Sequence, residues 1–383
     1  MSEQITPQKK QRLIFIDVMR GIAVLWMIET HVVDVVLYGS LKGGVFYNLL
    51  NISNGFVAVS FLFCAGAGFW LAAQKKADDY KHFRPPLWVY LRRIGLILLL
   101  AYWLHFPALS LEKFLILTPD GWLTFFECDV LQAIGYSSIL ALIILMITPN
   151  IKYLPYIFGA IAIIVFLAAP FVWNTNPLET MPAFFGNLFS RPPHSKFPLF
   201  PWMGYFFSGA AITAYFMNFE NKKKLAMILS ITGLVLVLLL FNTRYFTDFY
   251  PGFKDWWHCS PFHSLFRVSG AVMVFAFLYL IEKWYREKKI GNILRLCGQE
   301  SLYVYISHLM IVYGSVANFG MSKLIGNRLD WVGTAAITFA VCLFCWATAL
   351  GWNNLKAKEL RMARIVMISV FVLFFIIFLF NPA

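Results

Sequence analysis

The chain has 383 residues, of which 60% are hydrophobic and only 13% are charged. Soluble domains are about 45–50% apolar and about 25% charged, so this composition excludes an ordinary soluble protein and indicates one that crosses a membrane several times. The formal net charge of +13 would suit a nucleic-acid-binding protein, so the positions of the basic residues have to decide that question.

Eleven stretches are apolar and long enough to predict membrane-spanning helices, which need about 20 residues each. The predicted fold class is all-α, a polytopic transmembrane helical bundle of about 11 spans. We expect residues 1–12 to form a cytoplasmic N-terminal segment and residues 13–383 to form a single transmembrane domain. The predicted spans are 13–37, 54–74, 87–106, 127–148, 153–173, 198–218, 224–241, 264–282, 299–317, 331–351 and 364–381.

Lysine and arginine are distributed unequally between the two sides of this predicted bundle. If the N-terminus is cytoplasmic, 23 of them lie on the cytoplasmic side and 9 on the opposite side, which together are the 32 in the chain. Cytoplasmic loops of membrane proteins carry such an excess, so the asymmetry predicts a cytoplasmic N-terminus in the cytoplasmic (inner) membrane. It also accounts for the basic charge without a nucleic-acid partner, because basic patches at this face meet anionic lipid.

The first span, residues 13–37, carries an unusual set of ionisable residues. At about 100° per residue, Asp17, Arg20, His31 and Asp34 fall on one stripe of the helix, whereas Glu29 points the other way. Ionisable groups in a membrane span cost at least about 2.5 kcal/mol each and normally face protein or water. The stripe therefore predicts a functional site, and the alternative is a buried polar cluster that only joins this helix to its neighbours.

The spacing of these residues resembles a known signature. Asp17-x-x-Arg20-Gly21-x-Ala23, followed by His31 and Asp34, is similar to the first-helix motif of the heparan-α-glucosaminide N-acetyltransferase catalytic-domain family, which is related to the family 3 membrane acyltransferases. The resemblance implies a multi-pass acyltransferase that uses acyl-CoA, and we expect acetyl-CoA, as its donor. Six cysteines show no zinc-type spacing, and we expect no metal.

The family resemblance extends to later spans, with one departure. Residues 130–136 resemble a family stretch of the type (I/V)LQxIG, residues 201–209 a PWxGYxxxG stretch, and residues 301–308 a Ser-Leu-x-x-Tyr-x-x-His helix. The family also has a histidine in the first outer loop, just before an Asn-Gly matched by Asn54 and Gly55. This chain has Leu50 and Asn51 there, so either His31 takes that role or the chemistry differs.

The arginine pair Arg92 and Arg93 begins the third span at its cytoplasmic end. Arginine presents a planar fork that suits phosphate oxygens, so the pair is a candidate site for the phosphates of CoA. The family 3 acyltransferases have an arginine pair at a similar depth, but theirs is spaced Arg-x-x-Arg. The alternative is that both residues only anchor the helix at the membrane surface.

Further polar residues lie on the outer side and in the ninth span. The predicted substrate-binding residues are Asp17, Asp129, Gln132, Ser301, His308 and Trp257. Asp129 and Gln132 are one turn apart, whereas Ser301, Tyr305 and His308 share one helical face. The structural alternatives are an interhelical hydrogen-bond patch, a core histidine and, for Trp257, an aromatic belt at the membrane interface.

The resemblance and the residues together predict a mechanism with Arg20, His31 and Asp34 as catalytic residues. His31 would act as the general base and take a proton from a hydroxyl or amine of a sugar or envelope acceptor. Asp34, one turn further on, would orient the imidazole. Arg20 would pair with Asp17 or polarise the thioester oxygen. The acceptor would enter from the outer side, past Gln132 and Trp257.

Two other classes of protein remain open at this point. Charged stripes also form proton relays, so the alternative function is a proton-coupled transporter of a small polar solute. A transporter is expected to have paired halves with matching broken helices, and the sequence shows none. The third class is a non-catalytic subunit whose stripe binds a membrane partner, and a homo-oligomer is also open.

The distribution of positive charge predicts the topology directly. Cysteines introduced as Lys76→Cys and Lys288→Cys should resist a membrane-impermeant thiol reagent applied to intact cells, whereas Asn176→Cys should react. Labelling of Lys288→Cys without labelling of Asn176→Cys would reverse the orientation.

Overall fold

The computed structural model describes residues 13–245 and 257–381. Within these ranges, twelve helices have ten or more residues and form the bundle. In chain order they are α1 (Ile14–Val36), α2 (Val45–Lys81), α3 (Pro85–Leu104), α4 (Val130–Ile147), α5 (Leu154–Trp173), α6 (Leu199–Asn218), α7 (Lys222–Asn242), α8 (Pro261–Leu280), α9 (Lys289–Gln299), α10 (Ser301–Val312), α11 (Trp331–Lys358) and α12 (Leu360–Phe380).

Short elements connect the long helices. An antiparallel hairpin of two strands, β1 (Gly314–Ser315) and β2 (Asn318–Phe319), follows α10. The short α-helices are Leu111–Leu115, Pro119–Phe125, Pro177–Thr180, Ala183–Gly186, Glu282–Tyr285 and Met321–Leu324, and the 3₁₀ turns are Gly39–Leu41, Ile151–Tyr153 and Thr243–Tyr245.

The prediction of an all-α membrane protein is confirmed. Each predicted span overlaps one long helix, and eight helices in the described residues are long and apolar enough to cross a membrane, namely α2, α3, α4, α5, α7, α8, α11 and α12. Of the helices that match predicted spans, α1, α6 and α10 fall outside this set; α1 has four charged residues, and α10 has only 12 residues. The count of eleven spans and the cytoplasmic N-terminus therefore stay predictions.

Three features differ from the sequence-based boundaries. Helix α2 begins at Val45 instead of residue 54, and α11 continues to Lys358, because hydropathy marks the apolar part of a helix and not its polar ends. The stretch 282–299, which connects two predicted spans, contains α9. Its Ile293 and Leu294 pack against the hydrophobic core, so an amphipathic pattern was concealed by the surrounding lysines.

Helix α1 lies inside the bundle and packs against α2, α8, α9, α10 and α11. Residues all around it are buried, including Phe15, Val24 and Val32. A helix that is buried on most sides can carry polar residues only where a neighbour or a cavity receives them. The position of α1 therefore explains why its ionisable residues determine where the candidate site lies.

Two pairs of helices approach so closely that only glycine fits. A Cβ atom on Gly298 of α9 would overlap the carbonyl oxygen of Asp17, and one on Gly21 of α1 would overlap that of Leu294. Helices α2 and α6 show the same arrangement at Gly66 and Gly209. Small residues at helix crossings allow such contact in membrane proteins.

The C-terminal end of α1 is held by the loop before α11. Leu37 and Leu329 form an isolated parallel bridge, in which the Leu329 N–H donates to the Val36 carbonyl at 2.8 Å. The Tyr38 N–H donates to the Leu329 carbonyl, also at 2.8 Å. These backbone bonds fix the C-terminal end of α1, and His31 and Asp34 lie in its last two turns.

The α1–α9 crossing leads to a stability prediction. Gly298→Ala should lower the melting temperature of the detergent-purified protein, because overpacking a tight contact costs about 1–3 kcal/mol and here the atom met is backbone. Gly95→Ala is the matched control, since no atom lies within 4 Å of a Cβ there and alanine favours a helix. Equal melting temperatures for the two variants would contradict this close contact.

Candidate functional site

His31 of α1 and His308 of α10 form a direct pair. Their Nδ1 and Nε2 atoms are 3.1 Å apart, and the two rings stack with centroids 5.2 Å apart and an angle of 17°. His308 is completely buried, whereas His31 is partly exposed. The structure thus joins two histidines that are 277 positions apart in the chain.

The backbone of α10 determines which nitrogens carry protons in the neutral pair. Nδ1 of His308 donates to the carbonyl of Val304 at 2.8 Å, because a carbonyl only accepts. Nε2 of a neutral His308 is then an acceptor, so His31 donates to it through Nδ1–H. The Nε2 atom of His31 is left with a free lone pair and has no hydrogen-bond partner within residues 13–245 and 257–381. This is the arrangement that a general base requires.

Asp34 lies one turn beyond His31 but binds other groups. Its carboxylate accepts from the Tyr313 hydroxyl at 3.3 Å, and its backbone carbonyl accepts from Lys42 Nζ. The Tyr313 ring in turn packs edge-on against His31, with centroids 5.3 Å apart. The described residues contain no hydrogen bond between Asp34 and His31, so the hydrogen-bond partner of His31 is His308 and not Asp34.

A second polar group, formed by His105, Asp129 and Tyr305, lies near the histidine pair. Asp129 caps α4, accepting from the Val130 N–H at 2.6 Å, and its other oxygen accepts from the Tyr305 hydroxyl at 3.3 Å. His105 Nε2 is 3.6 Å from that same oxygen. Gln132 completes the helix cap by accepting from the Asp129 N–H at 3.2 Å. Gln132 is 1% exposed and does not line the cavities, so it stabilises the start of α4.

One cavity, here called the His31 cavity, has a volume of about 580 Å³. Its walls come from α1, α2, α4 and α10 and from the segments around His105 and Lys196. Its polar lining residues include Thr30, His31, Asp34, Asn54, His105, Asp129, Lys196, Tyr305 and Tyr313. A volume of this size accommodates a small polar molecule next to the free nitrogen of His31.

A smaller cavity of about 150 Å³ lies on another side of His31. It is lined by Tyr47, Leu50, Asn51 and Asn54 of α2 together with residues of α1 and Tyr313. Leu50 and Asn51 stand where the resembling family has its loop histidine, so that position faces the same imidazole. The structure therefore brings the two candidate positions for a base to one place.

The other end of α1 borders a separate cavity of about 310 Å³, here called the Arg20 cavity. Its polar lining residues are Arg20, Lys76, Tyr80, Tyr90, Arg93, Ser138, Ser301 and Tyr305, and the rest of its wall is apolar. Arg20 and His31 are eleven residues apart, which corresponds to about 16 Å along the helix. The predicted stripe on α1 is thus divided between two cavities.

Arg20 is held by its surroundings in this cavity. Its Nη1 atom is 4.0 Å from the Asp17 carboxylate, and its Nη2 donates to the Cys64 carbonyl at 3.5 Å. Asp17 itself is 8% exposed and accepts from Gln299 Nε2 at 3.2 Å, so it supports Arg20 without lining either cavity. The predicted pairing of Arg20 with Asp17 fits this geometry.

The remaining predicted residues separate into two groups. Arg93 and Ser301 line the Arg20 cavity and Arg92 does not, although both arginine side chains are exposed. Trp257 is 40% exposed, packs edge-on against His263 and lines neither of the two cavities. The neighbouring Trp256 and the rest of residues 246–256 lie outside the described residues.

The comparisons with known proteins identify the family. The model described as "Heparan-alpha-glucosaminide N-acetyltransferase, catalytic" matches residues 12–250 of the 383. The chain belongs to this family. Comparison with curated proteins and with solved structures gives no match. The recognition made from Asp17, Arg20, His31 and Asp34 is therefore confirmed at the level of the family.

The part of the chain that matches the acetyltransferase family contains α1 to α7 and ends before α8. It includes His31, Asp129 and both arginines, but His308 and Tyr305 lie beyond it. The contact between His31 and His308 is thus an observation of the structure that the family match does not supply. It connects the matched region to the C-terminal helices.

Among the residues that line the His31 cavity, sequence reasoning missed Thr30, His105, Lys196 and Tyr313. Lys196 carried a usable signal, because a positive charge on the predicted outer side runs against the positive-inside pattern. Tyr313, the residue that ends α10, carried none.

Proposed function

We propose that this chain is an integral membrane acyltransferase that moves an acyl group, expected to be acetyl, from acyl-CoA to a hydroxyl or amine of a sugar-type acceptor. The observation that carries the proposal is the free Nε2 of His31 in a cavity that adjoins a second, basic cavity at Tyr305. The family match to an N-acetyltransferase catalytic domain supports the same reaction type. No comparison supports the alternative of a transporter.

The Arg20 cavity is proposed to receive the donor. Arg20, Lys76 and Arg93 supply positive charge, and CoA carries phosphates that such groups bind well. Its apolar remainder suits the pantetheine arm and the thioester. Because Arg20 is about 16 Å from His31 along α1, we assign it to donor binding and not to the reacting carbonyl.

The reaction would take place at His31 with balanced proton transfer. Nε2 of His31 takes the proton of the acceptor hydroxyl or amine while the acceptor oxygen or nitrogen attacks the thioester carbonyl carbon. The carbon–sulfur bond then breaks, and the CoA thiolate leaves and takes the proton back from His31. His308 keeps His31 in the reactive tautomer by accepting its Nδ1–H, a positioning role comparable to that of the acid in a catalytic triad.

The acceptor would occupy the His31 cavity. A polyhydroxylated or amino-substituted acceptor needs both hydrogen-bond donors and hydrogen-bond acceptors. The cavity offers both, from Asp34, His105, Asp129 and Lys196. Mass spectrometry of envelope glycans and small metabolites, with and without the gene, would identify the acceptor by an acyl mass difference. The donor side is tested independently by binding of acetyl-CoA to the purified protein.

Substitution of His31 tests the proposed base. His31→Gln keeps the size and hydrogen bonding of the side chain, so the protein should fold and bind acetyl-CoA normally while transfer falls by at least about 10². His308→Gln should cost less, because it misorients the base without removing it. Asp34→Asn should cost less still, because Asp34 reaches His31 only through the Tyr313 ring. His82→Gln is the control, since His82 is exposed and pairs with Asp78. Near wild-type transfer by folded His31→Gln would remove His31 as the base.

The arginine pair offers a matched test of donor binding. Arg93→Gln should weaken CoA binding about tenfold, as expected for one lost charge-assisted hydrogen bond, and the loss should be larger at low salt. Arg92→Gln should leave the dissociation constant within about twofold, because Arg92 does not line the cavity. Titration calorimetry at two salt concentrations measures both. Equal effects of the two substitutions would indicate that neither residue grips the donor specifically.

A further inference from the structure

Tyr305 lies where the two cavities meet. Among the described residues, only Tyr305 and Val130 line both the Arg20 cavity and the His31 cavity. Each of the two is only 4% exposed, so the aromatic ring and the isopropyl group close the space between them. Tyr305 and Val130 therefore form the boundary that the two cavities share.

The Tyr305 ring is held from two directions. Its hydroxyl donates to Asp129 at 3.3 Å, and Asp129 is itself fixed by the Val130 N–H at 2.6 Å and lies 3.6 Å from His105. Its ring packs edge-on against His308, with centroids 5.7 Å apart. The position of Tyr305 is thus tied to the histidine pair and to the first turn of α4.

We propose that Tyr305 is the specificity-determining residue for the acyl group and that its ring, with Val130, limits the width of the group that reaches His31. This inference rests on the proposed function, because the thioester arrives from the Arg20 cavity and the base lies in the other. An acetyl or propionyl group is narrow at the carbon next to the carbonyl. An isobutyryl group is branched there and meets the ring.

The first experiment measures the preference for acetyl-CoA over isobutyryl-CoA as a ratio of kcat/KM values. Tyr305→Ala removes the ring and should shift this ratio at least about tenfold toward isobutyryl-CoA, the usual scale for one or two methyl groups in a pocket. Tyr305→Phe keeps the ring and should leave the ratio within about twofold. Leu302→Ala is the control, since Leu302 lines the Arg20 cavity but not the shared boundary.

Val130→Ala is a second variant, which keeps the test decisive if the Tyr305→Ala protein does not fold. It widens the same passage from the opposite side and should shift the ratio in the same direction. An unchanged ratio in every folded variant of Tyr305 and Val130, or an equal shift in Leu302→Ala, would overturn the proposal.

The second experiment needs no enzymatic activity. Ser138 lines the Arg20 cavity, so Ser138→Cys places a thiol on that side of the boundary. In proteoliposomes of determined orientation, a small impermeant thiol reagent should label this cysteine from one side of the membrane only. Adding Tyr305→Ala should allow labelling from both sides, whereas adding Tyr305→Phe should not.

The two experiments separate the proposal from the function on which it rests. Labelling of Ser138→Cys from both sides with Tyr305 intact would show that the ring is no boundary and would overturn the inference. Wild-type protein that binds no acyl-CoA and transfers no acyl group, yet labels from one side only, would overturn the proposed function and leave the boundary in place.

Discussion

Burying ionisable side chains in a membrane bundle is costly unless each has a partner or a cavity, and helix α1 has to meet this requirement at Asp17, Arg20 and His31. Asp17 and Arg20 meet it through each other, Gln299 and the Cys64 carbonyl. His31 meets it through His308. Because Gln299 and His308 belong to the C-terminal half of the chain, pairing of the α1 stripe brings α9 and α10 against α1.

A close backbone approach makes this pairing geometrically possible. Gln299 reaches Asp17 because Gly21 and Gly298 let α1 and α9 touch without side chains between them. Glu300, the next residue, is 6% exposed and binds Asn353 Nδ2 at 2.8 Å and Lys356 Nζ, both on α11. The junction between α9 and α10 therefore binds α1 on one side and α11 on the other. These bonds hold Arg20 beside its cavity and His308 beside His31.

The helical fold and the importance of α1 were predictable because they depend on local pattern. Apolar length predicted the helices, and angular spacing placed Asp17, Arg20, His31 and Asp34 on one stripe. Partners distant in the chain were not predictable in this way. The hydrogen-bond partner of His31 is an imidazole 277 positions away, whereas the carboxylate of Asp34, one turn on, binds Tyr313. Arg92 and Arg93 are neighbours in the sequence, yet only Arg93 lines the Arg20 cavity, because successive residues of α3 point in different directions.

The choice of an imidazole as the partner of His31 has a physical consequence. A carboxylate at that place would be a buried charge whose removal from water costs several kcal/mol unless further hydrogen bonds compensate it. His308 instead gives its proton to the Val304 carbonyl and accepts from His31, so the neutral pair satisfies its buried nitrogens with no fixed charge. The carboxylate that lies nearby, Asp129, is kept at the boundary with Tyr305, where the N-terminus of α4 stabilises it. The structure thus separates the histidine pair from the carboxylate of Asp129, which binds Tyr305 where the two cavities meet.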